Sequence, residues 1–267
     1  MYLDITLMKK LKIGKGDPIC VVPSKKEKYR VLGKISPIPI DELINFCINR
    51  GINTLNIKQL SLRRCNPINL PDKNNLDLHY LLGSILGDGC LSVKKGSRNG
   101  KSYTLKVSSQ YLPNILKIRN ILLSLFGLKA TVYKEKTWYN VNCYSKILVI
   151  FLNKIYSIPI GKKYFSICIP KIVKEDKSFM IYFLKGLCDS DGNIYLHRGK
   201  KCVQLRQKSY SFLKDVKSIF HKLGIYMPGP YYDKANNSWV LWSSKKSVVD
   251  NFIKEIGKVN YNPGPVA

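Results

Sequence analysis

Apolar residues recur along this chain in an order that is played twice. Leu81–Gly89 (LLGSILGDG) is a short apolar run ending in Asp-Gly, and Leu184–Gly192 (LKGLCDSDG) is another. Both read as helical ends. After each come two runs of alternating apolar and polar residues with a glycine-containing break between them: CLSVKK and YTLKVSSQ in the first half, NIYLHR and CVQLRQ in the second. Alternation is the period of a strand, so each pair predicts a hairpin. In the second half Phe212, Leu213, Val216, Ile219, Phe220 and Leu223 mark one face of a helix that Gly224 stops. In the first, Ile115, Leu116, Leu122, Leu123 and Phe126 take the corresponding places before Gly127, with Arg119 where the second half has Val216. A second pair of strand-like runs follows in each half, ATVYKEK with TWYNVNCY and GPYYDK with SWVLWSS, aligning Trp138 with Trp239. Apolar helices, KILVIFLNKI and SVVDNFIKEI, close the units.

The repeat predicts an α+β fold of two pseudo-symmetric αββαββα units, over residues 76–170 and 178–264, with Pro170–Lys177 as the linker. Residues 1–75 do not share the pattern and read as a small mixed accessory region. Residues 1–36 carry weak strand signals such as Tyr29–Leu32. Ile40–Asn49 predicts a helix, Gly51 a turn, and Ile57–Arg64 a second helix. The pair makes either a helix-turn-helix or a plain helical cap, joined to the repeats through Asp72–Asn75.

Charge changes the picture from fold to partner. Of 267 residues, 45 are Lys or Arg and 17 are Asp or Glu, for a net charge of +28. Residues 1–80 hold 14 basic and 7 acidic side chains, so residues 81–267 hold 31 and 10, a net +21. That excess is interleaved with apolar residues and belongs to a folded surface. Such a surface repels itself unless a polyanion is its partner, and nucleic acid rewards it through counterion release. The eight cysteines (20, 47, 65, 90, 143, 168, 188 and 202) include no CxxC pair, which argues against a zinc ribbon and for free thiols in a reducing cytoplasm. The three histidines (His79, His197, His221) lack metal-ligand spacing, so any hard metal must rely on carboxylates and carbonyls. No run reaches membrane-spanning length and no signal peptide is expected, so the expected location is the cytoplasm, on the nucleoid when DNA is bound.

The two nonapeptides have their own physics. Gly83 and Gly87 lie four residues apart, as do Gly186 and Ser190, so small residues share one helix face and permit close packing of the two motif helices. Asp88 and Asp191 then meet at helix C-termini, where the helix dipole already disfavours negative charge. A divalent cation with oxygen ligands resolves that conflict. A single Asp-Gly would be read simply as the start of a turn.

These motifs, and the element order around them across residues 78–264, resemble the LAGLIDADG homing endonucleases in their single-chain, two-motif form. The resemblance implies site-specific hydrolysis of double-stranded DNA, one phosphodiester per strand, leaving short 3′ overhangs across the minor groove, with Mg²⁺ or Mn²⁺. It makes Asp88 and Asp191 the metal-binding acids, with the Gly87 and Ser190 carbonyls as further metal contacts. It also places polar and basic residues near the metals: Gln110 and Gln207, Lys163 (Lys162 as rival) and Lys258. Either glutamine could equally be an ordinary strand end, and either lysine a surface residue. The sixth motif position is Asp189 in repeat two and Leu86 in repeat one, outside the implied metal site. Lys185, at a position the family usually keeps small, marks the edge of the helix interface. The strand faces are the implied DNA readers, with Ser92, Lys94, Lys95, Lys106, Ser108, Lys134, Lys136, Asn140 and Asn142 in repeat one, and Tyr195, His197, Gln204 and Arg206 in repeat two.

Three other functions fit parts of this pattern. A non-cleaving transcriptional regulator can keep such a fold beside a helix-turn-helix, though binding alone has no use for two carboxylates among phosphates. An RNA maturase would carry the same basic surface and take intron RNA as partner. An intein-borne endonuclease is a third, but Met1 and the PGPVA end lack the Cys or Ser and the His-Asn of a splice junction. Excision from a larger precursor stays open. With both half-sites in one chain, a monomer is expected.

Overall fold

A computed structural model describes residues 66–95, 100–163 and 166–257, with short strand segments at 22–23, 57–60 and 261–262. The first repeat opens with helix α1 (Leu76–Gly87), capped by Asn75, whose side chain accepts the Asp77 N–H. Strands β4 (Gly89–Lys95) and β5 (Lys101–Ser109) follow, then α2 (Leu112–Phe126), β6 (Thr131–Glu135), β7 (Trp138–Tyr144) and α3 (Lys146–Tyr156). The two hairpins join through β5 and β7 into one antiparallel sheet of order β4-β5-β7-β6. The second repeat runs α4 (Lys177–Asp191), β8 (Gly192–His197), β9 (Lys200–Gln207), α5 (Tyr210–Lys222), β10 (Tyr231–Asp233), β11 (Ser238–Ser243) and α6 (Lys246–Glu255). Its sheet has the order β10-β11-β9-β8, extended by β12 (Tyr261–Asn262) parallel to β8. Leu91 and Ile160 make the matching parallel bridge in repeat one. The fold is therefore the expected α+β pair of repeats, each sheet covered on one face by its helices.

The two motif helices pack against each other along the centre. A Cβ on Gly83 would lie 2.0 Å from the Phe183 carbonyl oxygen, and one on Gly186 would lie 2.0 Å from that of Tyr80. These are backbone contacts that cannot yield, so glycine is what permits the approach. Ser84 Oγ donates across the seam to the Gly186 carbonyl at 3.3 Å. Leu78, Leu81, Leu82, Ile85, Leu86, Phe183, Leu184 and Leu187 are fully buried around it and join the cores of both halves.

Two expectations change and one gains detail. The α2 face toward the core is Ile115, Ile118, Ile121, Leu122, Leu125 and Phe126, whereas Leu123 is 52% exposed. Arg119 thus points to solvent and bonds Asn120 rather than interrupting the core. The linker expected at 170–177 carries structure of its own: Lys171–Lys174 forms a 3₁₀ turn with Val173 buried, and Asp176 caps α4. Finally, Ile57–Leu60 (β2) is a strand, paired with β1 (Val22–Pro23) and β3 (Ile68–Asn69), not the start of a helix. The apolar spacing of Ile57 and Leu60 suits either state, and pairing Leu60 with the buried Ile68 decides it. The helix expected at 40–49 and the strand at 29–32 lie outside the described residues.

Candidate metal centre and nucleic-acid face

Each Asp-Gly sits where a motif helix turns directly into a strand. Asp88 is the C-cap of α1, its N–H bonded to the Ser84 carbonyl, and Asp191 ends α4. The following glycine serves close approach rather than a left-handed turn. A Cβ on Gly89 would lie 2.5 Å from Ile85 Cα, and one on Gly192 would lie 2.6 Å from the Cys188 carbonyl oxygen. The chain folds back on its own helix at once, which brings both carboxylates to the end of the helix pair. A Cβ on Gly87 would meet Asp191 Oδ2 at 3.0 Å, so the second carboxylate lies against the first helix.

Both acids line a cleft of about 1040 Å³ with Gly87, Lys163, Ser190 and Gln207. Burial pushes the Asp88 carboxyl up to about 6, against the pull of Lys163. Burial raises Asp191 well above the usual carboxylate range; the charge of Asp88 adds to this and Lys163 opposes it. Lys163 itself is lowered by burial and held up by Asp191 and Asp88. Three ionisable groups therefore share one desolvated space. The available donors are two carboxylates and helix-end carbonyls, all hard oxygens, which suits a divalent ion such as Mg²⁺ or Mn²⁺ that retains waters. Among the described residues no three His, Cys, Asp or Glu side chains converge elsewhere or here, so carbonyl, water and phosphate oxygens must complete such a shell.

Of the two lysines expected near the acids in repeat one, Lys163 reaches the end of α1, whereas Lys162 is exposed. Lys163 Nζ donates to the carbonyls of Leu86 and Gly89 at 2.9 Å, of Ile85 at 3.2 Å, and also of Gly87. Lys258 lies outside the described residues. Counting from the matched strand pairs, Lys163 follows Ile160 by three, whereas Lys258 precedes Tyr261 by three, so the two are not counterparts in sequence.

The glutamines also differ. Gln207 Nε2 donates to Asp191 Oδ2. Gly89 pairs with Val107 and Gly192 with Leu205, so the counterpart of Gln207 is Ser109, two residues beyond Val107. Gln110 lies one residue further, exposed and off the cleft. Strand-end position alone had matched it to Gln207; register does not. The same register sets Trp239 level with Tyr139 rather than Trp138.

The sheet faces opposite the helices are polar. On the first, Cys90, Lys106 and Asn142 form one cross-strand row, Ser108 and Asn140 another, Ser92 and Thr104 a third, with Lys94 beyond. Ser108 Oγ donates to Asn140 Oδ1 at 2.7 Å. Lys95 and Lys134 fall on the other side of the alternation, Lys134 lying over the Tyr139 ring, and Lys136 sits in the β6–β7 turn with φ 54°. On the second sheet Asn193, Tyr195, His197, Gln204 and Arg206 share the polar face. Trp242 Nε1 donates to Tyr195 Oη at 2.8 Å, and Arg206 pairs with Asp233 at 2.7 Å. Asn193 and Trp242 were not anticipated; strand alternation from Tyr195 and Gln204 was the available signal.

A further polar group was also missed. Tyr80 Oη donates to Asp189 Oδ2 at 2.7 Å, Asn114 Nδ2 donates to the Asp189 carbonyl at 3.1 Å, and Lys117 lies 3.4 Å above the Tyr80 ring. These contacts tie the end of α4 to α1 and α2.

The model of the LAGLIDADG-like domain family matches residues 75–156 and 178–257. Among curated proteins, a glutamine–fructose-6-phosphate aminotransferase of Methanocaldococcus jannaschii is 23% identical over 244 residues, covering 87% of this chain and 21% of that protein. The chain thus spans about a fifth of that relative's length. Among solved structures, I-DmoI in complex with DNA and Mn is similar with a TM-score of 0.53 at 20% identity, covering 70% of this chain and 99% of that one. Mesophilic variants of the homing endonuclease I-DmoI give 0.54 at 19%, covering 70% and 98%. Two matched repeats, a shared two-sheet fold and two Asp-Gly ends on glycine-packed helices lead to one conclusion: the chain belongs to the LAGLIDADG family, in its single-chain form with two motifs.

Proposed function

We propose that this protein is a site-specific endonuclease that hydrolyses one phosphodiester on each strand of duplex DNA, using divalent metal ions. The observation that carries this reading is the meeting of Asp88 and Asp191 in one desolvated cleft, beside two sheets with polar faces. Carboxylates buried beside each other and beside incoming phosphates are costly for a protein that only binds DNA, and a cation removes that cost. Asp88, Asp191 and the Gly87 and Ser190 carbonyls would hold Mg²⁺ or Mn²⁺. When bound, such ions polarise the phosphate and lower the pKa of an attacking water. Gln207 orients Asp191 from β9, while Ser109 leaves the first half without a matching amide. The polar rows of both sheets would follow the major groove, and one chain would act as a monomer. That I-DmoI has been seen with DNA and Mn supports the choice of partner and ion.

The test is a randomised duplex-DNA library incubated with Mg²⁺, followed by end sequencing, and then wild type against Asp88→Asn and Asp191→Asn on the recovered site. Cleavage should fall by orders of magnitude in both variants, while binding in Ca²⁺ survives or tightens. Wild-type rates in both variants would falsify the assignment of these two residues. Tight wild-type binding without cutting under any metal would instead make the protein a DNA-binding regulator.

A further inference from the structure

We propose that Arg206, held between Asp233 and Gln204, is a preset reader of a guanine in the half-site faced by repeat two, and that Asp233 is the positioning residue that aims it. This rests on the duplex-DNA part of the reading above and not on cleavage. Arg206 stands on the polar face of β9 and lines the same cleft as Asp191, with Gln204 and Asn236. Its Nη1 bonds Asp233 Oδ2 at 2.7 Å. The Gln204 amide, oriented so that its oxygen meets donors, accepts from Arg206 Nη2 at 2.8 Å and from Nε at 3.2 Å. Asp233 is itself fixed by the turn between β10 and β11. Its Oδ1 accepts the Ala235 N–H at 3.1 Å and the Asn236 N–H at 3.4 Å, and its Oδ2 accepts Asn236 Nδ2 at 2.9 Å. The Asn236 amide first, and then the guanidinium, hold this carboxyl below the usual carboxylate range, so it is charged at neutral pH.

A guanidinium has five N–H donors, and these three contacts leave one on Nη1 and one on Nη2. The side chain is 35% exposed, so a ligand can reach them. Two donors on neighbouring nitrogens match guanine, which shows two acceptors, O6 and N7, in the major groove. Adenine shows one acceptor beside a donor, and cytosine and thymine show a single polar group. A phosphate is the poorer partner, because the carboxylate 2.7 Å away already answers the positive charge and repels a second anion. A neutral base edge meets no such repulsion. Contacts on two sides also fix a long side chain before DNA arrives, which lowers the ordering cost of binding. Register makes Ser108 the counterpart of Arg206 in repeat one, and its hydroxyl is engaged with Asn140, so the reader belongs to repeat two.

The experiment selects bound molecules from a randomised duplex-DNA library in Ca²⁺ with wild type, Arg206→Ala, Arg206→Gln and Asp233→Asn, and sequences them. Wild type should show a position at which guanine exceeds every other base by roughly tenfold or more. Both Arg206 variants should level that position alone; Gln keeps a polar end and decides the matter if the Ala variant does not fold. Asp233→Asn keeps the turn but frees the guanidinium to meet phosphates. Guanine preference at the same position should fall severalfold, and the salt dependence of binding should steepen by about one phosphate contact. A purely structural role in the turn would lower Tm and leave the base profile unchanged, which overturns the aiming role of Asp233. Wild-type binding to duplex DNA with a profile that neither Arg206 variant alters overturns the proposal and leaves the DNA-binding reading standing. Absence of duplex binding by folded wild type overturns both.

Discussion

At the residue scale, the buried carboxylates give a pH dependence whose direction is set by their environment. Asp88 is pushed up to about 6 by burial, and Asp191 is raised well above the usual carboxylate range by burial and by Asp88. A carboxyl whose pKa is higher folded than unfolded stabilises the fold while protonated, below about pH 4. That contribution is lost as pH rises through the folded value. The metal-free protein should therefore lose thermal stability as pH rises from about 4, through about 6 for Asp88 and with Asp191 adding to the loss, relative to an Asp88→Asn/Asp191→Asn double variant, and Ca²⁺ should restore it near neutrality. Parallel Tm-against-pH curves for the two proteins would contradict this. The buried His79, lowered mainly by desolvation, titrates in both proteins and drops out of the comparison. Both aspartates could be read from the chain because each carries its own signature, a helical apolar run closing on Asp-Gly. Gln110 could not be separated from Ser109, because one residue of register is invisible until strands are paired.

At the scale of elements, the seam between α1 and α4 is the feature most sensitive to a single methyl group. Gly186→Ala would drive a Cβ toward the Tyr80 carbonyl, 2.0 Å away, and only a shift of one helix relieves it. Overpacking of this kind costs about 1–3 kcal/mol or more. Thermal unfolding should register a drop of several degrees, and because the carboxylates ride on these helices, Ca²⁺ affinity should fall with it. Leu123→Ala, on the 52% exposed flank of α2, should stay within about 0.5 kcal/mol of wild type. Equal stabilities would mean the helices can move apart freely. The small-residue spacing announced this packing in advance, since steric bulk is a local property. The phase of α2 was not announced: with Ile115, Leu116, Ile118, Ile121, Leu122, Leu123, Leu125 and Phe126 on a single helix, two apolar faces compete, and the sheet beneath selects one.

At the scale of the whole molecule, a net +21 over residues 81–267 surrounds a cleft that holds two acids. Binding to duplex DNA in Ca²⁺ should weaken by roughly a thousandfold or more between about 50 and 200 mM salt, as expected when several phosphates are neutralised. Fluorescence anisotropy across that range checks it, and a flat response would move the source of affinity away from the phosphates. Sedimentation of the same complex should give one chain per duplex, because both repeats lie in one polypeptide.

The amino-acid sequence by itself determined the repeated element order, the closeness of the two motif helices, the acids at their ends and the sign of the partner's charge. Each of these follows from local periodicity, side-chain size or summed charge. Only the tertiary structure decided that Ile57–Leu60 is a strand, that Gln207 rather than Gln110 reaches an acid, that Lys95 and Lys134 leave the polar face, and that Lys163 sits in the carbonyls of α1. Those outcomes depend on register and on contacts between residues far apart in the chain, which no local pattern encodes.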